Sequence, residues 1–576
     1  MLLNATWLEA WHFWADWLAD VMVGKALFSP MSSCPRVAYF CMEYGLDPSF
    51  PIYAGGLGIL AGDHMKSVGD LKVPLIGIGL FWDEGYTRQL IGPGGVEDHY
   101  PKTPRDALRR VDVGIVVTVR GKDVPCRAWK VDRYVSSTLY LLEPERDEDR
   151  WITQRLYGGG VEDRLAQEIV LGVGGVRLLQ ALGEKVDVFH FNEGHAVFAG
   201  LELLRQNTYG GTTFSDRIDR LRPHVVFTTH TPVPAGNEVH DLELMRRMDA
   251  ALGFSDEELE LVGGDPFSMT VAGLRISRLA NGVAALHGET ARDMWKDIDN
   301  ASPIISITNG VHQPTWQDAR IRAALVPEKP IERQNLELWS SHQQMKQELI
   351  AEIARLTGVQ LSIDGLLVGF ARRAAAYKRA DLILGDERTL RRLFDHGIQL
   401  VYSGKAHPRD LAGKSLVSRL VDATKKYPGR VVFLENYDMH LGALLTRGAD
   451  IWLNNPRRPL EASGTSGMKA AMNGVPNLSI LDGWWPEGCE HGVNGWKIGD
   501  PDPADDPFDE KDEMRVDRRD REILHNVLER EVLPAYHERA RWVAIMRASI
   551  AMSQWKFSSD RMIEDYVTKV YSSSGR

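Results

Sequence analysis

Short apolar runs, each closed by polar or glycine residues and followed by a helix-forming stretch, recur along this chain in two series. Val37–Phe40, Pro74–Leu80, Val186–Phe191, His224–Thr229 and Pro303–Thr308 form the first. Gly365–Phe370, Ile398–Tyr402, Arg430–Leu434, Ala449–Leu453 and Asn477–Leu481 form the second. Strands that are apolar throughout are buried on both faces, and their alternation with helices predicts a parallel sheet. Such a sheet binds its ligands off the carboxyl ends of its strands. Two series without a short repeat predict an α/β protein of two Rossmann-like domains facing a cleft.

Size agrees, since 576 residues exceed what one core serves. We place the first domain at 31–317 and the second at 318–576, with the polar, helical stretch 317–362 marking the passage between them. Residues 111–143 alternate with β-branched positions and predict a small antiparallel excursion. A long helix is expected over Glu162–Leu182, and an amphipathic one over Phe557–Tyr571. Residues 1–30 are a separate tryptophan-rich extension, in which Trp7, Trp11, Trp14, Leu18 and Val21 mark one apolar helix stripe. Glu9, Asp16 and Asp20 interrupt it and no basic segment precedes it, which fits neither a signal peptide nor a membrane span.

A formal charge of −11 argues against nucleic acid as the main partner. The four cysteines, Cys34, Cys41, Cys126 and Cys489, have neither metal-ligand nor disulfide-framework spacing, which suits a reducing cytoplasm. We expect no metal site.

Three motifs sit at strand ends. Glu461-Ala-Ser-Gly-Thr-Ser-Gly-Met-Lys469 leads from an apolar run into a helix stopped by Gly474, so Ser463 to Gly467 lie at a helix N-terminus. Unpaired amides and the positive end of the helix dipole favour an anion there, with Lys469 one turn in. Gly55-Gly56-Leu57-Gly58 opens another helix and lets backbone amides approach a phosphate. Ala371-Arg372-Arg373-Ala-Ala-Ala-Tyr377-Lys378-Arg379 concentrates positive charge just beyond a third strand. Each alone has a plainer reading, respectively an N-cap, an α/β turn and a solvated helix start.

Together they resemble the α-glucan (glycogen, starch, maltodextrin) phosphorylases, the short prokaryotic type above all. The likeness runs in patches over 36–95, 157–200, 224–237, 302–316 and 365–496. It begins near Arg36, so Met31 is expected to be the natural start. It lacks a counterpart of the N-terminal regulatory segment of long members, so no phosphorylation switch is expected. The resemblance implies the GT-B architecture, with the C-terminal helix crossing back to the first domain. It also implies phosphorolysis of an α-1,4-glucan by inorganic phosphate to α-D-glucose 1-phosphate, with retention, and leaves a homodimer open.

By the same resemblance Lys469 forms a Schiff base with pyridoxal 5′-phosphate, whose phosphate assists as acid and base. Gly55, Gly56, Thr465, Tyr437 and Lys378 would contact that coenzyme. Arg373 would hold substrate phosphate, with Arg372 standing where many members carry lysine. Glu461, Ser463 and Gly464 would take the sugar 2- and 3-hydroxyls, with His230 and Asn309 near the 6-hydroxyl. Leu57 would line the sugar site, and Asn192 and His195 would meet the acceptor end of the glucan. Ala375 and Ala376 replace polar residues of the family. Two rivals are a nucleotide-sugar-dependent glycogen synthase, which shares the glycine loop but leaves Lys469 without a role, and a non-catalytic glucan-binding homologue.

Overall fold

The computed structural model describes residues 34–233, 236–502 and 509–572, and the structural statements below concern those residues. The tryptophan-rich stretch 1–30 and the expected start at Met31 lie outside them.

The first half contains β1 (Val37–Phe40), β2 (Leu75–Leu80), β3 (Arg88–Gly92), β4 (Gly95–His99), β5 (Leu108–Val119), β6 (Lys122–Val131) and β7 (Thr138–Pro144). It continues with β8 (Val188–Asn192), β9 (Val225–Thr228), β10 (Val239–His240), β11 (Phe267–Ser268), β12 (Leu279–Gly282) and β13 (Ile304–Ser306). Nine of these form one sheet in the order β13-β12-β9-β8-β1-β2-β7-β6-β5. The pairs from β13 through β7 are parallel, while β7, β6 and β5 pair antiparallel. The expected antiparallel excursion is therefore an extension of the main sheet, attached through β7.

The second half holds β14 (Leu366–Ala371), β15 (Ile398–Ser403), β16 (Val431–Leu434), β17 (Ile451–Asn454), β18 (Asn477–Ser479) and β19 (Gly495–Lys497). They form a parallel sheet in the order β16-β15-β14-β17-β18-β19. β1, β8, β14 and β17 are buried throughout, as their unbroken apolar sequences require.

Six helices matter for the site: α1 (Gly56–Asp70), α2 (Ile331–Thr357), α3 (Met439–Gly448), α4 (Thr465–Met472), α5 (Arg539–Gln554) and α6 (Ser559–Asp565). The long helix expected over Glu162–Leu182 is present as two α segments joined by a π turn at Val170–Gly174. A buried ion cluster pins α2 to the second sheet: Asp450 takes Lys346 at 2.6 Å and His342 at 2.9 Å. α6 and the π turn after it pack into the first core. There Tyr571 meets His190 at 2.8 Å and Tyr566 donates or accepts with Thr228 at 3.2 Å.

The β3–β4 ribbon reaches from the first half to the second. Gln89 donates to the Ala406 carbonyl at 3.2 Å and accepts from its amide at 2.9 Å, while Ile91 and Val96 pack on the second core. No helix among the described residues is long and apolar enough to cross a membrane, and the four cysteines are free thiols.

Candidate active site

In both sheets the strand order reverses beside a central strand, between β1 and β8 in one and between β14 and β17 in the other. Helices leave opposite faces on the two sides of such a point and open a crevice beyond the carboxyl ends. The segments that follow these four strands carry the three sequence motifs, and all three reach one cavity of about 690 Å³ between the halves.

Glu43 follows β1 and Glu193 follows β8, and both are buried carboxylates spent on backbone amides. Glu43 accepts from the Ala54 amide at 2.6 Å, the Gly55 amide at 3.3 Å and the Tyr157 hydroxyl at 2.7 Å. This is what forms the glycine loop before α1. At Gly58 a Cβ would come within 2.5 Å of the Glu43 carboxylate and 2.7 Å of Tyr53, so a side chain there would displace the pair. At Gly55 and Gly56 a Cβ would meet no atom within 4 Å, so the loop turns bare backbone to the cavity. Gly55, Gly56 and Leu57 all line the cavity. The Gly55 amide is already directed to Glu43, which leaves the N–H groups of the first turn of α1, from Gly56 and Leu57 onward, as the donors available to an anion.

The expectation that Asn192 meets the glucan is corrected, since it does not line the cavity. It is buried behind the wall, where its carbonyl oxygen lies 2.7 Å from His230 Nε2 and its amide donates to the Cys41 sulfur at 3.3 Å. It orients His230 rather than facing the cavity. His195 does line the cavity, but its Nε2 accepts the Met42 amide at 3.1 Å, which leaves its other nitrogen for any ligand. Burial pushes His230 down to about 3, so it is neutral at pH 7. Leu57 and Asn309 line the same side.

The second half supplies the charge. Arg372, Arg373, Lys378 and Lys405 line the cavity, the first three from the segment after β14 and Lys405 from beyond β15. Arg372 and Lys378 grip the Glu461 carboxylate at 3.0 and 2.7 Å. Burial alone would raise this carboxyl, but Arg372 and Lys378 hold it down at about 2. Arg373, the exposed member of the trio, presents its guanidinium to the cavity. Burial lowers Lys405 to about 8, and its ammonium is steadied by the Thr87 carbonyl at 3.0 Å and Asn436 at 3.3 Å.

α4 begins where the motif predicted. Its N-cap is Gly464 at φ +82°, a left-handed conformation that favours glycine, and Thr465 opens the helix. Ser463, Gly464, Thr465, Tyr437 and Lys469 line the cavity. Lys469 is 7% exposed and burial lowers its amine to about 8. Three buried polar groups on this surface have no hydrogen-bond partner among the described residues: Ser463 Oγ, Asn309 Oδ1 and Arg372 Nε with Nη1. Unpaired buried polar atoms facing one cavity point to a polar ligand with several acceptors and donors.

Sequence reasoning assigned no role to Glu43, Tyr157 or Asp482. Asp482 receives the Glu461 amide at 2.9 Å and so fixes the start of the 461–469 segment. Its position just after β18 was the available signal. A metal-like grouping was also missed: Glu168, Glu238 and His240 have ligand atoms within 4.8 Å of one another. The Arg164 guanidinium sits 3.1 Å from Glu168 and 2.8 Å from Glu238, and it supplies the cation that this group needs.

Comparison with known proteins gives a concordant result. A family profile described as Carbohydrate phosphorylase matches residues 329–487, a stretch that includes α2 and the segment carrying Lys469. Maltodextrin phosphorylase of Thermococcus litoralis is 39% identical, over 93% of this chain and 70% of the relative. Glycogen phosphorylase of Aquifex aeolicus is 35% identical, over 93% and 86%. An uncharacterised protein of Methanocaldococcus jannaschii is 34% identical over 93% of this chain and 99% of its own length. Likeness at this level, spread over nearly the whole sequence and both sheets, shows that the chain belongs to the carbohydrate phosphorylase family.

Proposed function

We propose that this protein is an α-glucan phosphorylase of GT-B architecture. It transfers the terminal glucosyl unit of an α-1,4-glucan to inorganic phosphate, giving α-D-glucose 1-phosphate with retention, with pyridoxal 5′-phosphate attached at Lys469. The observation that carries this reading is the meeting of four cationic side chains, a buried lysine amine and open helix N-termini in one cavity at the carboxyl ends of two parallel sheets.

The residues present fit the coenzyme. A buried amine of lowered basicity is suited to a carbonyl partner. The bare backbone at Gly55 and Gly56, the Thr465 end of α4 and Tyr437 line the same cavity as that amine. Lys378 adds a cation for a phosphate. Bound there, the coenzyme would supply through its phosphate an acid–base group beside the substrate phosphate.

The remaining chemistry belongs to the chain. Breaking a glycosidic bond needs a proton on the leaving oxygen while positive charge grows at the anomeric carbon. Arg373 holds the substrate phosphate where it can face that carbon, Lys378 serves the phosphate of the coenzyme, and their charges are fixed before the reaction begins. Glu461, anionic down to about pH 2, accepts hydroxyls of the sugar, and Ser463 and Asn309 satisfy their unpaired atoms on the same ring. His230, neutral and giving its Nε2 proton to the Asn192 carbonyl oxygen, can accept from the 6-hydroxyl through Nδ1 and brings no charge to the site.

The test is glucose 1-phosphate release from a linear maltodextrin with added coenzyme, with and without inorganic phosphate. Release that rises with phosphate is expected. Turnover of ADP- or UDP-glucose without phosphate would overturn the reading.

A further inference from the structure

Behind the Lys469 amine lies an arrangement that the transfer reaction does not require. Its Nζ stands 3.5 Å from the centre of the Trp316 ring. The indole N–H on the same ring donates to both oxygens of Asp63, at 3.0 and 2.8 Å. Asp63 is fully buried on α1, and this indole is its side chain's one hydrogen-bond donor among the described residues. One neutral N–H does not offset the cost of a buried carboxylate. Positive charge comes from the Lys469 ammonium on the ring face, a cation–π contact that a carboxylate on the indole N–H strengthens by enriching the ring in negative potential, and from Lys66, three residues along α1, which Asp63 also attracts. One turn along α1, Lys66 donates to Thr315 Oγ1 at 3.1 Å and lines one pocket with Thr315 and Trp316.

Other charged groups around α4 are engaged elsewhere. Arg447 of α3 donates to the carbonyls of Thr315 and Trp316, Arg547 of α5 to Gln334, and His312 lies between Asp70 and Thr315. Arg372 and Lys378 are paired with Glu461. Burial lowers the Lys469 amine most, and on top of that Asp63 raises it while Lys66 lowers it.

We propose that Asp63, acting through Trp316, and Lys66 are opposed positioning residues that set how much of Lys469 stands as free amine, and so how readily it captures its coenzyme. This rests on the coenzyme reading above. Capture joins the amine nitrogen to the aldehyde carbon as a C=N bond and releases the aldehyde oxygen as water. The nitrogen needs its lone pair, so an ammonium must first give a proton to solvent. Asp63 stabilises the ammonium and retards capture near neutrality; Lys66 destabilises it and favours capture.

Asp63→Asn keeps an oxygen for the indole N–H while removing the charge, and Lys66→Gln removes the opposing one. Two readouts apply to the full chain freed of coenzyme. The first is the pH profile of Lys469 acylation, followed by peptide mass spectrometry, which needs no coenzyme. The second is the pH profile of pyridoxal phosphate uptake, followed by absorbance. Asp63→Asn is expected to move both midpoints down by about one pH unit, and Lys66→Gln to move them up. Unchanged midpoints, or shifts in the same direction, would overturn the proposal. Opposite shifts in acylation in a parent that takes up no pyridoxal phosphate would uphold the charge pair and overturn the coenzyme reading instead.

Discussion

The two walls of the cavity are built on the same plan but differ in the charge they present. On the first wall the strand ends carry carboxylates, Glu43 and Glu193, whose oxygens are spent on backbone amides. They shape loops and leave neutral groups, His230 and the α1 N-terminus, facing inward. On the second wall the strand ends carry cations, and Glu461 is the carboxylate they hold. A parallel sheet supplies both walls with converging loops; the side chains after the switch-point strands decide that one wall is a mould and the other a charge array. The proposed transfer from a neutral sugar to inorganic phosphate uses both.

The largest expected effect separates two jobs within the basic motif. Arg379 follows Lys378 but turns away from the cavity, bonding the Asn455 and Pro456 carbonyls and pairing with Asp517 and Asp520, each at 2.8–2.9 Å. Arg379→Ala strands buried carboxylate and carbonyl groups and should cost about 3–5 kcal/mol in denaturant unfolding. Arg373→Ala should leave stability almost unchanged yet lower kcat/KM for phosphate about 10²–10³-fold. If Arg373→Ala instead unfolds the protein, the division within the motif is wrong.

The third effect is on acid stability. Glu461 is held at about 2, below the usual carboxylate value of about 4.3. Its contribution is therefore fully present above about pH 4.3 and is lost as pH falls towards 2. Replacing both Arg372 and Lys378 by Met should remove roughly 2 kcal/mol of it and flatten the acid limb of melting temperature against pH. An unaltered acid limb would show that the second wall does not hold this carboxylate.

The smallest effect belongs to the first wall. Glu43→Gln keeps the shape but weakens the bonds to the Ala54 and Gly55 amides, and should slow turnover on the order of tenfold, about 1–1.5 kcal/mol. Because the mould is neutral, this loss should not depend on salt, whereas the loss in Arg373→Ala should shrink as salt rises.

The sequence made the second wall far more legible than the first. Cationic motifs at strand ends are contiguous, so Arg372, Arg373 and Lys378 could be read as a unit, and the helix start before Lys469 followed from local residue chemistry. The scaffold was legible where strands are continuously apolar. β12, reading Leu-Ala-Asn-Gly, and the three-residue β19 have little β propensity and draw their stability from neighbours far along the chain. Pairings across the chain left no local trace: Trp316 with Asp63 spans 253 residues and Lys378 with Glu461 spans 83. Asn192 illustrates the same limit. Its place at a strand end was visible, but which way its amide faces is decided by His230 and Cys41.

The central claim is that one lysine on the charged wall carries the coenzyme on which the reaction depends. It is tested most directly by loading the full chain with pyridoxal phosphate, reducing with borohydride and mapping the modified peptide, alongside glucose 1-phosphate release before reduction. One phosphopyridoxyl group per chain is expected, on Lys469, with phosphate-dependent release in the parent and none in Lys469→Ala. Modification at Lys405 or Lys66 instead, or undiminished release by Lys469→Ala, would contradict it.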